Sequence, residues 1–259
     1  MDGSFPYALD YRAHVEHLER HGIAQAVVFP FISYFGLDDF HLAADPARFA
    51  IPFAIIDPAR KPAEQVASLR TLREAHPIRG LKIQPTMIKS PVRSLLAEGS
   101  CVLELAREWN VPMLIHSSIA PNDVWSQCSD ILDVAEAWPD VRFVLDHGGI
   151  PDIAANDSGE WMRCITALAE RPNVSCKISG LLLYAAPSQR SAGGIRPWFE
   201  HLIDAFGWDR VVWGGDWPVF ALAVPLTDWI AVTHELLITA STSERDRLLG
   251  ANARTIYHL

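Results

Sequence analysis

A chain of 259 residues is long enough for two small domains or one large one. Its hydrophobic fraction of 49%, charged fraction of 20% and mean hydropathy of +0.10 fit a globular chain with a full core, and exclude disorder, collagen-like repeats and coiled coil. Lys and Arg number 22 against 31 Asp and Glu, a net −9 that repels phosphate backbones and anionic membrane surfaces and argues against a nucleic-acid partner.

No stretch approaches the roughly 20 apolar residues needed to cross a bilayer, and Met1 to Tyr11 lacks the basic and apolar regions of a secretion signal. Cys101, Cys128, Cys164 and Cys176 form no C-x-x-C pair and lie in apolar stretches, so buried reduced thiols and a cytoplasmic location are expected.

In chain order, a helix at Tyr11–His21, closed by Gly22, precedes a strand at Gln25–Phe31. Further strands are predicted at Ile51–Asp57, Ile78–Gln84, Val111–His116, Val141–His147, Asn173–Ser179 and Arg210–Gly214. Between them lie helical patterns at Pro62–Ala75, Cys101–Trp109, Gln127–Trp138, Glu160–Glu170, Pro197–Phe206 and Pro225–Ile238. A last short helix is predicted from Ser243, with Asp246 at capping-box spacing, leading into Asn252–Leu259. The strand interiors are continuously apolar, as in strands covered on both faces, and units of about 30 residues repeat as βα pairs around a parallel sheet. No linker or low-complexity break occurs, so a single domain over 1–259 is expected. The length suits an α/β (β/α)₈ barrel of about 250 residues, yet such a barrel needs eight strands. The first strand reads as lacking or truncated, because Pro6 interrupts the only aromatic cluster ahead of the first helix.

Polar residues recur at the strand ends: Gln84, His116, His147, Lys177 with Ser179, and Asp216 within Trp213-Gly-Gly-Asp-Trp-Pro218. In a parallel barrel all of these ends meet at one rim, where active sites are built. Singly, each can cap a turn or a helix. Together they place polar groups from five strands on one face. Two imidazoles and a carboxylate, His116, His147 and Asp216, can form a three-ligand zinc site with a fourth position open for water; Asp216 can equally act as a general base. Period-2 alternation places Lys177 with Ser175 and Ser179, and Lys82 with Gln84. Facing the lumen, these lysines would anchor an anionic or hydroxylated substrate; facing outward, Lys177 would snorkel to solvent. Trp213 and Trp217 flank Asp216 and either desolvate it or pack in the core. His14, His17 and His21 have helical spacing and read as a partly solvated face. His234-Glu235 fails as H-E-x-x-H, because the fifth position is Ile238, and no nucleophile elbow, phosphate loop or dinucleotide fingerprint occurs.

Four segments in order carry a family resemblance: Phe143-Val-Leu-Asp-His-Gly-Gly149 followed by Pro151, Pro172-Asn-Val-Ser-Cys-Lys-Ile-Ser-Gly-Leu181, Phe206 to Val219, and Asn252-Ala253 with Tyr257. From about Tyr11 onward the chain resembles the amidohydrolase-related branch of the amidohydrolase superfamily, and more narrowly its sugar-lactone and 2-pyrone-4,6-dicarboxylate lactonases. The resemblance implies a (β/α)₈ barrel, with Asp216 as general base at the last strand and His116 and His147 on the fifth and sixth barrel strands. Those are the fourth and fifth legible strands; the offset of one is the absent first strand, whose family His-x-His pair has no counterpart here. It also implies a divalent metal, zinc first, held by His116, His147 and Asp216, although the branch includes metal-free lactonases. Lys82 stands where related lactonases often have arginine. The expected activity is hydrolysis of a small lactone, with Lys82, Gln84, Lys177 and Ser179 binding its hydroxyls or carboxylate. The alternatives are decarboxylation of an aromatic or related acid, and a catalytically impaired barrel serving as a binding scaffold. The expected partner is a small-molecule lactone or organic acid, and no feature sets an oligomeric state.

Overall fold

Each apolar run is followed by enough chain to return over the sheet as a helix, the condition for neighbouring strands to lie parallel. A computed structural model describes residues 16, 18–27, 49–50, 53–56, 60–75, 78–85, 91–117, 127–216, 219–222 and 224–259. Its strands are β1 (Ala26–Val27), β2 (Phe49–Ala50), β3 (Phe53–Ile56), β4 (Gly80–Ile83), β5 (Met113–Ile115), β6 (Phe143–Leu145), β7 (Val174–Ile178) and β8 (Val211–Trp213). β1 pairs with β2, and β3 to β8 pair successively in chain order, every pair parallel. β2 lies just ahead of the predicted strand Ile51–Asp57, which contains β3, so each of the seven predicted strands has a counterpart and β2 is additional. The expectation about an earlier strand concerns residues outside those described. Among the described residues, β1 and β8 are each paired on one side only.

The period of two sorts the strand residues onto two faces. Leu81, Ile83, Met113, Ile115, Phe143, Leu145, Cys176 and Val211 pack outward into one core with helix residues such as Leu103, Ile165, Leu168 and Leu202. Their alternates Leu114, Val144 and Val212 form a second, inner cluster with Ile256 and Tyr257 of the C-terminal helix Asn252–Tyr257. Each fully buried Leu, Ile, Val or Phe contributes about 1.5–3 kcal/mol relative to exposure. One step further on this inner face Leu114 is followed by His116 and Val144 by Asp146, while Lys177 lies level with Val212 and Asp216 comes two steps beyond it.

Three local expectations are corrected. Pro197 was read as a helix start, but the helix runs from Ala192 to Phe206 with Pro197 inside it. The start belongs to Ser191, whose side chain accepts from the Gly194 amide at 3.2 Å. The final capping box uses Ser241 and Glu244, not Ser243 and Asp246: Glu244 N donates to Ser241 Oγ at 3.3 Å, and Ser241 N donates to Glu244 Oε2 at 2.7 Å. Cys128 and Cys164 are joined in a disulfide, while Cys101 and Cys176 are free thiols. The pair escapes sequence inspection because its members lie 36 residues apart; the consecutive helices Cys128–Ala137 and Gly159–Ala169 bring their Cα atoms to 6.1 Å. Closing a loop of that length restricts the unfolded chain by about 4 kcal/mol. Unreduced, denatured protein should therefore titrate only two of its four thiols, and reduction should lower the melting temperature.

No described helix is long and apolar enough to cross a membrane.

Candidate active site

The inner-face residues at the carboxyl ends of β4 to β8 surround one cavity of about 990 Å³. Lys82, Gln84, His116, His147, Lys177 and Asp216 line it together with Tyr184. The alternation argument holds for both lysines: Leu81 and Ile83 pack outward, and Lys82 and Gln84 are buried on the inner face. Lys177 is buried as well and does not snorkel.

At the centre is Asp146, a residue the sequence reading passed over. It is fully buried, with Oδ1 2.5 Å from Lys177 Nζ and Oδ2 3.2 Å from Lys82 Nζ. Both ammoniums thus converge on one carboxylate, so the lysines are ion-paired rather than waiting as simple substrate anchors. The missed signal is that Asp146 stands two residues after inner-facing Val144, on the same face as Lys82 and Lys177.

His147 joins this group to Asp216. Its Nε2 lies 3.4 Å from Asp146 Oδ2, and its Nδ1 lies 2.9 Å from Ser179 Oγ and 3.6 Å from Asp216 Oδ2. The His116 ring stands edge-on to it with centroids 5.4 Å apart, and the Tyr184 ring lies 6.5 Å away on another side.

Both His147 (φ 51°) and Asp216 (φ 50°) occupy the left-handed backbone region. Such a conformation costs about 1–3 kcal/mol for a residue with a Cβ and persists only where the surroundings hold it. The indole of Trp161 donates to Gly148 O at 2.9 Å just beyond His147, and Phe220 N donates to Asp216 O at 2.8 Å. Gly180 permits the close approach. Its φ is +72°, and a Cβ there would lie 3.1 Å from Asp216 Oδ2 and 3.2 Å from Tyr184 Cε2. Gly180→Ala should destabilise the fold by about 1–2 kcal/mol from the backbone alone, measured by urea denaturation.

Burial sets the ionisation of the site. It pushes the Asp216 carboxyl up to about 7, Lys177 opposing and Asp146 reinforcing the rise. It also holds His147 well below its ordinary value against the pull of Asp146, so the imidazole is neutral. Burial lowers Lys82, and Asp146 partly restores it. For Asp146 burial acts upward, but the charge of His147 when that ring is protonated, and the Lys177 and Lys82 ammoniums, outweigh it and keep the carboxyl well below the usual range. One carboxylate is therefore fixed as an anion and the other is poised near neutrality, the separation that allows a general base beside a charge-stabilising group.

Trp213 lines the cavity with Asp216 and packs against the core. It stacks on Trp229 at 6.3 Å, and its indole donates to Thr233 Oγ1 at 3.0 Å. Trp217 lies outside the described residues, as do His14 and His17; His21 borders the cavity. Among the described residues no three His, Cys, Asp or Glu side chains stand as a metal-ligand set. His147 has one nitrogen on Ser179 and the other facing Asp146, so the expected set of His116, His147 and Asp216 does not fit a three-ligand zinc centre as arranged.

Residues 4–259 match the family model described as Amidohydrolase. The chain belongs to the amidohydrolase family. This amidohydrolase is 36% identical over 127 residues to L-fucono-1,5-lactonase of Burkholderia ambifaria, covering 48% of this chain and 41% of that protein. It spans about half or less of the length of the curated relatives it matches. Its fold is similar to that of an amidohydrolase from Burkholderia multivorans with bound zinc, with a TM-score of 0.79 at 23% identity over 96% of this chain and 88% of that one. It is also similar to a candidate 2-pyrone-4,6-dicarboxylic acid hydrolase from Pseudomonas putida, with a TM-score of 0.74 at 21% identity over 98% and 91% of the two chains. At such identities the likeness establishes the α/β fold alone.

Proposed function

We propose that this amidohydrolase opens small lactones, sugar lactones or dicarboxylate lactones, by hydrolysis. The observation that carries the reading is Asp216, a largely but not fully enclosed carboxyl raised to about 7 at the rim of the cavity and held beside a neutral imidazole. Its similarity over part of its length to a lactonase supports the same reading.

Asp216 takes a proton from water as the water oxygen attacks the lactone carbonyl. The tetrahedral oxyanion is stabilised by hydrogen-bond donation from His116 and by the positive field of Lys82 and Lys177, which exceed Asp146 by one charge. Cleavage of the ring C–O bond returns the proton to the departing alkoxide and yields a hydroxy acid. His147, gripped by Ser179 and flanked by Asp146, orients Asp216. Gln84 is placed to bind a substrate hydroxyl.

Because the donor set does not fit a three-ligand metal centre, prolonged treatment with a chelator should leave kcat unchanged. The reading itself is tested by acid release from a panel of aldonolactones and dicarboxylate lactones at pH 8. Turnover of at least one is expected, and no acid release by correctly folded protein would overturn it.

A further inference from the structure

Opening a lactone leaves an alkoxide on the ring oxygen, a poor leaving group unless a proton reaches it as the C–O bond breaks. Lys82 and Lys177 are paired with Asp146, and His147 faces Ser179 through Nδ1 and Asp146 through Nε2. His116 serves the carbonyl oxygen. A further proton donor lines the same cavity, the hydroxyl of Tyr184.

Tyr184 ends the short helix Leu181–Tyr184, which the chain enters from β7 through Gly180. Leu181 and Leu182 are buried in the core, and Ala154 N donates to Tyr184 O at 3.0 Å, so the turn is fixed from both sides. A Cβ at Gly180 would lie 3.1 Å from Asp216 Oδ2, 3.2 Å from Tyr184 Cε2 and 3.5 Å from His147 Nδ1, so these three side chains surround a single glycine. Cε2 adjoins the ring carbon that carries the hydroxyl, which makes the phenol a close neighbour of the general base. Tyr184 is partly exposed, and among the described residues no hydrogen bond takes its hydroxyl. A tyrosine so enclosed ordinarily finds a partner, and a ligand in the cavity can supply one. Burial, reinforced by Asp216 and Asp146, pushes the hydroxyl well above the ordinary tyrosine value, so it keeps its proton when Asp216 has lost its own.

We infer that Tyr184 is a catalytic residue, the acid that protonates the ring oxygen as the lactone opens. This assignment rests on the lactone-hydrolase reading of the rim. As the tetrahedral intermediate collapses, the electron pair of the C–O bond goes to the ring oxygen, which takes the phenolic proton. The phenolate of Tyr184 regains a proton from Asp216, which had taken it from the attacking water. One water is thereby added across the ester bond, and both side chains end as they began. The contribution grows with the basicity of the departing oxygen, because an alkoxide needs the proton whereas a phenolate, whose conjugate acid has a pKa of about 10, leaves largely without it.

The test compares the wild type with Tyr184→Phe at pH 8 on δ-valerolactone and dihydrocoumarin. Both are six-membered lactones; the departing oxygen is an alkoxide in the first and a phenolate in the second. The substitution removes only the hydroxyl, so urea midpoints should agree. For δ-valerolactone kcat should fall by about 10²-fold at steady KM, while for dihydrocoumarin it should fall by less than about threefold. Equal losses on the two lactones would mean that the hydroxyl serves the carbonyl or the fold, and would overturn the proposal. An unchanged kcat, a rise in KM alone, or a wild type that opens dihydrocoumarin but not δ-valerolactone would overturn it as well. A wild type that opens no lactone at all defeats the rim reading and this proposal with it, whereas an active wild type matched by its phenylalanine variant defeats the proposal alone.

Discussion

Asp216→Asn is expected to lower kcat/KM by about 10²–10⁴-fold and, above pH 7, to make the protein more stable. The substitution keeps the shape of the side chain, and asparagine tolerates the left-handed backbone found there (φ 50°), so little besides the ionisation is removed. The two effects share one cause. In the fold the carboxyl titrates at about 7 rather than 3.8 because burial disfavours its anion. The folded state therefore holds the proton more tightly than the unfolded state. The stability this contributes is fully present below about 3.8 and is lost as pH rises through about 7. A shift of about three units corresponds to about 4 kcal/mol, at 1.36 kcal/mol per unit. Catalysis needs the anion and moves the other way, with kcat/KM rising through an ionisation near 7. Wild-type activity and stability should thus trend in opposite directions between pH 5 and 8, and the asparagine variant should show neither trend. A kcat/KM profile that is flat through pH 7, alongside urea midpoints with no difference between pH 5 and 8, would remove Asp216 from its role.

The parallel order of the strands was legible because each strand interior is an unbroken apolar run and each return is an amphipathic helix. Period two was enough to place Lys82, Gln84 and Lys177 on the inner face, since that inference needs only the outward packing of Leu81 and Ile83. Partnership was not legible. The convergence of Lys82 and Lys177 on Asp146 spans three strands whose residues lie 31 to 95 positions apart, and no local pattern reports a carboxylate placed between two ammoniums. The sequence likewise suggested His147 as a metal ligand without showing that Ser179 would take its Nδ1. The disulfide failed for the same reason, as two helices join cysteines that belong to no motif. Pro197 misled because a proline preceding an amphipathic run is the usual mark of a helix start, whereas here Ser191 caps the helix six residues before the expected boundary.

Asp146→Asn is expected to cost about 3–5 kcal/mol, because it leaves two buried ammoniums facing a neutral amide. The loss should depend on pH in a direction that identifies its origin. In the wild type burial already lowers Lys82, and the pull of Asp146 is the largest force opposing it. Without that carboxylate the folded lysine releases its proton more readily than the unfolded one. Stability of the variant then rises as pH climbs from the folded value toward the unfolded value of 10.5, and the gap from the wild type narrows between pH 7 and 10. A gap that stays constant over that range would mean the variant suffers from packing and not from unpaired charge. The triple change Asp146→Leu, Lys82→Met and Lys177→Met removes every charge of the cluster at once. Replacing a buried ionic group with apolar residues is often neutral or stabilising by about 1–4 kcal/mol, so this protein should unfold at a urea concentration at or above that of the wild type. It should nonetheless be inactive, since the positive field at the rim is gone. Recovered stability without recovered turnover would show that the cluster of Asp146, Lys82 and Lys177 serves the reaction and not the fold.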